Sequence, residues 1–360
     1  MRAQSHIRRP DHKTPGATKT AHQKIVTIVC PCRNEVAHID AFLRKVTTQE
    51  ASGFDLEIVV ADGESDDGTL EVLAAWRAKE PRVKVISNPR RIVSTGLNAA
   101  LHLAQGGLIV RMDVHAEYAE DYVANCVKAL EESGAMCVGG PLRATGRSFR
   151  QRAIAAAYSS AFGCGGAKSR RTDYTGPIDT VFLGAWRRAD LIALGGFDED
   201  LVRNQDDELC LRITRSGGIV WQSSAIQSSY LPRESLAGLW HQFYQYGYWK
   251  AAVITKHRLP SSIRQLVPIL FLTLLFAVAF VGIFASMAWL LLAGLLIAYA
   301  TTAGFAARAA SKTHQPSSSL LVFLCFPCMH LAYALGWAHG VLNFLILCRE
   351  PAPRMSDLSR

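Results

Sequence analysis

The segment Asp113-Val-His115 follows directly on an apolar run, Leu108-Ile-Val-Arg-Met112. Side chains at i and i+2 of an extended chain share a face, so an Asp oxygen and a His nitrogen can converge on one divalent ion and a diphosphate bound to it. A His ligand suits Mn²⁺ better than Mg²⁺, which prefers oxygens and water. Asp-x-His alone is common in loops, and its place at a strand end is what gives it weight. A second cluster, Arg203-Asn-Gln-Asp206-Asp207-Glu208-Leu-Cys-Leu-Arg212, sets three consecutive acids where a helix should start. The helix dipole favours acids there without any chemistry. A carboxylate held at a helix start beside a sugar is equally suited to removing a hydroxyl proton.

Two other turns are polar. Pro31-Cys-Arg33-Asn34-Glu35 ends the first apolar run, where a ligand loop and a plain helix entry, with Asn34 as N-cap, both fit the local physics. Neither G-x-G-x-x-G nor G-x-x-x-x-G-K-[ST] stands at this turn, which sets aside nucleotide dehydrogenases and P-loop proteins. The second apolar run ends in Ala61-Asp62-Gly-Glu-Ser-Asp66-Asp67-Gly-Thr69. Its acids would repel a bare phosphate, yet one carboxylate can accept the imide N–H of a uracil while the glycines let the chain turn sharply. Capping of the next helix accounts for Asp66 or Asp67 but not for Asp62 at the strand end.

These turns need elements to hold them. Strand-like runs at Ile25–Val29, Leu56–Val60, Val83–Ile86, Leu108–Val110 and Ala135–Val138 alternate with helical patterns near residues 37–48, 69–79, 93–105 and 119–132. Such βαβα alternation predicts an α/β fold with a mainly parallel sheet covered by helices on both faces, and ligands beyond the carboxyl ends of the strands. The 360 residues leave room for a further domain. With 49% hydrophobic and 19% charged residues, part of the chain belongs in lipid.

No Asp, Glu, Lys or Arg occurs between Arg264 and Arg308, enough for two spans of about 20 residues each. Lys256, Arg258 and Arg264 before this pair, and Arg308 and Lys312 after it, place the N-terminal domain in the cytoplasm by the positive-inside rule. A third apolar stretch, Leu320–Cys348, contains Pro327, His330 and His339 and leaves a crossing, a kink or a re-entrant turn open. Residues 1–23 are basic, lack an apolar h-region and read as a disordered tail rather than a signal peptide. The segment 231–263 carries Trp240, Tyr244, Tyr246, Tyr248 and Trp249, which fit an interfacial helix or a buried one. Nine scattered cysteines form no disulfide framework, and Cys325-Phe-Pro-Cys328 reads as packing. The net charge of +9 favours anionic partners.

Taken in order, the motifs resemble those of glycosyltransferase family 2, of the GT-A fold, over roughly residues 24–250. Pro31 to Glu35 matches the family's P-x-x-N-E, Asp62 to Thr69 its D-x-x-S-x-D-G-T, and Asp113-Val-His115 its D-x-D. Gln205-Asp-Asp-Glu-Leu-Cys-Leu-Arg212 matches its E-D-x-D-L-x-x-R. Asp-x-His, Gln-Asp-Asp-Glu-Leu and Ile178-Asp-Thr-Val181 are most similar to the ExoA-like, succinoglycan-type glucosyltransferases of bacterial exopolysaccharide synthesis. The resemblance implies a GT-A catalytic domain at 24–230, two to three transmembrane helices at 264–348 and a short tail at 349–360, all at the bacterial inner membrane. It implies that Pro31, Arg33, Asn34, Glu35 and Asp62 bind the uridine, and that Asp113 and His115 hold a divalent cation, Mn²⁺ or Mg²⁺. It further implies that Asp206 is the catalytic base, with Asp207 and Arg212 also binding substrate. His115 replaces the family's second Asp and Gln205 its Glu. No Q-x-x-R-W follows, which speaks against a processive polymer synthase.

The expectation is inverting transfer of a sugar, glucose from UDP-glucose, to a hydroxyl of a polyprenyl-diphosphate-linked saccharide. A polyprenyl-phosphate sugar synthase, whose oxyanion acceptor needs no base, is the first rival. A non-enzymatic basic membrane-anchored binder ranks below both. Nucleic acid is not an expected partner, because the basic residues are not clustered with aromatics on a strand face.

Overall fold

The computed structural model describes residues 25–260, 262–313, 317–351 and 355. The basic tail at 1–23 and most of 349–360 lie outside the described residues. The first half of the chain builds β1 (Ile25–Cys32), α1 (Ile39–Thr47), β2 (Asp55–Asp62), α2 (Thr69–Lys79), β3 (Val83–Ser87), α3 (Val93–Leu103), β4 (Leu108–Arg111), β5 (Ala116–Tyr118), α4 (Tyr122–Ser133) and β6 (Cys137–Gly140). Then follow β7 (Arg143–Ala144), α5 (Phe149–Ser159), α6 (Ala161–Cys164), β8 (Gly176–Pro177), β9 (Phe182–Arg187), α7 (Arg188–Ala193), α8 (Gln205–Arg215), β10 (Val220–Gln222) and β11 (Ser228–Tyr230). Four long helices close the chain: α9 (Leu236–His257), α10 (Val267–Gly282), α11 (Met287–Thr313) and α12 (Ser319–Val341).

The main sheet has the order β3-β2-β1-β4-β9-β6-β10-β8, and β5-β11-β7 form a smaller one. β1 pairs in parallel with β2 on one side and β4 on the other. The chain therefore builds toward one edge, returns, and adds β4 on the opposite flank. This makes the carboxyl ends of β1 and β4 a topological switch point, where open α/β sheets bind ligands. Val26, Ile28 and Cys30 pack into one face of the core and Val29 into the other. Burial on both faces is why these strands read as unbroken apolar runs. Glu57 is buried among them and accepts from Thr27 Oγ1 at 2.5 Å, Lys84 Nζ at 2.5 Å and the Gln105 amide at 2.8 Å.

β1 runs on to Cys32, so Pro31 belongs to the strand end and faces Ala61 of β2. All nine cysteines are free, as the scatter predicts.

Among the described residues, three segments, Ile263–Gly282, Met287–Lys312 and Ser319–Ile346, are long and apolar enough to cross a membrane. α12 is an unbroken helix through Pro327, which favours a crossing over a re-entrant turn. It packs on α9, and glycines bring the two backbones close where they cross. A Cβ added to Gly247 would lie 2.0 Å from the Tyr333 carbonyl oxygen, and one at Gly336 2.0 Å from that of Tyr244. Tyr244 Oη and His339 Nδ1 lie 2.9 Å apart, and Asn343 Nδ2 donates to Tyr248 Oη at 2.8 Å. Tyr248 and Trp249 are fully buried, so the aromatic cluster is mainly a core feature and only Trp240 turns outward.

Candidate active site

The parallel register puts Cys32 beside Asp62, so the loops after β1 and β2 leave the sheet together and lock onto each other. The Asn34 amide donates to Ser65 Oγ at 2.8 Å, the Asp66 amide to Asn34 Oδ1 at 3.0 Å and the Glu35 amide to Thr69 Oγ1 at 2.7 Å. Asp62 is 2% exposed, and its carboxylate accepts from the Ser65 amide at 3.0 Å and from Ser65 Oγ at 2.6 Å. It shapes the loop, while its neighbour Gly63 lines the cavity. A Cβ there would press to 3.2 Å on the side chain of Arg33, so glycine keeps this wall open. Pro31, Arg33, Asn34 and Glu35 all line the same cavity, as the motif suggests.

Asp113 and His115 take different first partners. Arg111 is buried, and its Nε and Nη2 donate to Asp113 Oδ1 and Oδ2, both at 2.8 Å. Burial opposes the charge on Arg111, but Asp113 at contact and Asp206 farther off outweigh it and raise its pKa. β4 ends at Arg111 and the chain turns, with the Ala116 amide donating to the Asp113 carbonyl at 3.2 Å. The i, i+2 alternation stops there, at Arg111. His115 instead reaches Glu35, with Nε2 2.7 Å from Oε1, and His38 Nδ1 lies 3.5 Å from Glu35 Oε2. The two imidazoles stand edge to face, 5.0 Å apart. Donor atoms of Glu35, His38 and His115 all fall within 4.8 Å of one another, the spacing a metal ion needs. Burial lowers the pKa of His115, with Asp113 opposing and Arg233 reinforcing. Burial, His115 and Arg147 lower that of His38. Both rings are therefore neutral near pH 7, with a lone pair to offer.

α8 begins after Asn204, whose φ of 62° is left-handed. Asp206 Oδ1 accepts from the Asp207 amide at 2.9 Å, and both residues line the cavity. Asp207 is held by Lys250 of α9 in a short ion pair and by Gln265 Nε2 at 3.5 Å. Arg212 lies apart from this cavity. Its guanidinium grips Glu208 at 2.8 Å and donates to the Gly196 carbonyl at 2.7 Å. One turn along α8 it satisfies carbonyls left over after α7.

The description "Glycosyl transferase family 2" belongs to the family model that matches residues 27–195. The succinoglycan biosynthesis protein ExoA of Rhizobium meliloti is 31% identical over 320 residues, spanning 88% of this chain and 95% of the relative. The chain belongs to glycosyltransferase family 2. A Methanococcus voltae dolichyl N-acetyl-alpha-D-glucosaminyl phosphate glucuronosyltransferase is 25% identical, over 72% of this chain and 82% of its own. A mannosyltransferase of Pyrobaculum calidifontis, solved with GDP-Man and Mn²⁺, shares the fold. It has a TM-score of 0.56 and 21% identity, over 88% of this chain and 86% of its own.

The candidate site is a cavity of about 1920 Å³. Its walls include Asp113, His115, Asp206 and the loop after β1, and the loop that Asp62 shapes adds Gly63. Several residues escape sequence reasoning. Arg111 is foreshadowed by the same alternation that links Asp113 to His115, and His38 stands three residues after Glu35, one helical turn away. Arg170, Arg203 and Arg233 come from separate loops and converge only in three dimensions.

Proposed function

We propose that this glycosyltransferase moves a sugar, glucose from UDP-glucose, with inversion to a hydroxyl of a polyprenyl-diphosphate-linked saccharide. The reaction takes place on the cytoplasmic face of a bacterial inner membrane during exopolysaccharide synthesis. The observation that carries this reading is the position of Asp206: a carboxylate at the head of α8, in the cavity that holds the β1 and β4 loops at one end and α10–α12 at the other. The ExoA similarity supports the pathway, and the lipid-linked saccharide in the Methanococcus relative's name supports the acceptor class.

In this scheme the loops after β1 and β2 seat the nucleoside, and Gly63 leaves room for a ring against Arg33. Asp206 takes the proton of the acceptor hydroxyl as that oxygen attacks the anomeric carbon and the nucleoside diphosphate departs from the opposite face. Arg111 holds the carboxylate of Asp113 in place with two hydrogen bonds. The cluster Glu35, His38 and His115, one carboxylate and two neutral imidazoles, fits Mn²⁺ better than Mg²⁺. A cation bound there supplies positive charge for the leaving diphosphate.

The test is a donor panel with detergent-solubilised protein, Mn²⁺ or Mg²⁺ and a lipid-linked saccharide, reading released nucleoside diphosphate and the mass of the product. A single added hexose from UDP-glucose is the expected result. Transfer to the bare lipid phosphate would replace this reading with the polyprenyl-phosphate synthase.

A further inference from the structure

The cavity exceeds what one substrate needs, since ligand pockets run to about 300–1,000 Å³. It continues from the Glu35 end, past Asp206, to Phe271, Tyr299 and His330, which lie on α10, α11 and α12. Between these ends stands a tyrosine platform. Tyr158 and Tyr230 rings lie 6.3 Å apart, and Gln242 Nε2 pins the hydroxyls of Tyr230 and Tyr246, each at 3.0 Å. Arg170 lies over the Tyr158 ring at 4.5 Å, and its Nη1 is buried without a hydrogen-bond partner. Arg203 and Arg233 are electrostatically coupled to the same tyrosines. Burial lowers the pKa of Arg203, with Tyr246 opposing and Arg233 reinforcing.

We propose that Arg170 and Arg203 seat the diphosphate of an isoprenoid lipid whose chain enters the membrane beside Phe162, Phe271 and Tyr299. This rests on the lipid-linked acceptor of the proposed function and names where its anionic head sits. Guanidinium forks match phosphate oxygens bidentately. The lipid side is argued from continuity. Arg170 follows the loop after α6, and Phe162 of α6 packs 5.5 Å from Tyr299 and 5.4 Å from His330. Phe271 stacks on Tyr299 at 5.4 Å, so an apolar path leads from the arginines toward helices α10 and α11. The donor diphosphate belongs at the other end, beside Glu35, His38 and His115.

The experiment is isothermal titration of the full-length protein in detergent with four probes: farnesyl diphosphate, farnesol, inorganic diphosphate and UDP. Farnesyl diphosphate should bind at least about tenfold more tightly than farnesol or inorganic diphosphate. Arg170→Gln and Arg203→Gln should each weaken it about tenfold or more while UDP binding stays within about twofold. Arg170→Lys, which keeps the charge and loses the fork, should fall between. Phe271→Ala should weaken farnesyl diphosphate and leave inorganic diphosphate unchanged. Equal loss of UDP in the arginine variants would assign them to the donor, and equal binding of inorganic and farnesyl diphosphate would remove the lipid; either overturns the proposal. Absent UDP binding would instead contradict the nucleotide-sugar reading and leave the farnesyl result standing by itself.

Discussion

His115 Nε2 lies 2.7 Å from Glu35 Oε1, across the gap between the turn after β4 and the loop after β1. That contact joins the two sides of the switch point and sets His115 apart from Asp113, whose carboxylate is occupied by Arg111. It predicts which residues hold a cation. His38→Ala and His115→Ala should each weaken Mn²⁺ binding about tenfold or more, read by Mn²⁺ electron paramagnetic resonance, while Asp113→Asn stays within a few-fold. Treatment with EDTA should abolish turnover and leave the protein folded.

Asp113 is the counter-charge of a buried arginine, so its removal is a stability event. Breaking a buried ion pair by deleting one partner typically costs about 3–5 kcal/mol. Asp113 is partly exposed, which brings the expected loss for Asp113→Ala to about 3 kcal/mol at most. Urea unfolding followed by tryptophan fluorescence measures it, and an unchanged midpoint would contradict the pairing.

Glu57 predicts an acid limit. Burial pushes its carboxyl pKa up, but the hydrogen bonds from Lys84, Thr27 and the Gln105 amide prevail and hold it below the usual glutamate value. A carboxyl with a lowered folded-state pKa adds stability above its unfolded value, and that stability is lost as pH falls through the folded value. Thermal midpoints should therefore decline below about pH 4.5. Glu57→Gln should flatten that decline and lower the midpoint at pH 7.

The α9–α12 crossing predicts a steric requirement at Gly336. Gly336→Leu must push the helices apart, because its Cβ would already overlap the Tyr244 carbonyl. Overpacking of this kind costs about 1–3 kcal/mol. The variant should show a lower thermal midpoint in detergent and faster proteolysis between α8 and α9. Gly304→Leu, whose Cβ meets nothing within 4 Å, should behave as the parent does.

The sheet is legible because β1, β2 and β4 are buried on both faces and so read as uninterrupted apolar runs. The place of β9 is not, because its antiparallel pairing between β4 and β6 joins distant segments that carry no local mark of their partner. Within the site, Asp206 announces itself through acids at a helix start. The contact of His115 with Glu35 is not legible, because extended geometry ends at Arg111 and the Asp113–Ala116 turn sets where the ring goes. Arg212 stands four residues after Glu208, a spacing that pairs them on one helix face, but its bonds to the Leu194 and Gly196 carbonyls join separate segments and leave no local mark.

In the proposed reaction Asp206 removes a proton from a hydroxyl acceptor. Replacing it with Asn keeps size and shape and deletes the base. Single-turnover release of UDP from UDP-glucose by Asp206→Asn, with a lipid-linked saccharide present, should slow about 10²- to 10⁴-fold while UDP affinity is unchanged. Turnover retained at the parent rate would contradict the account.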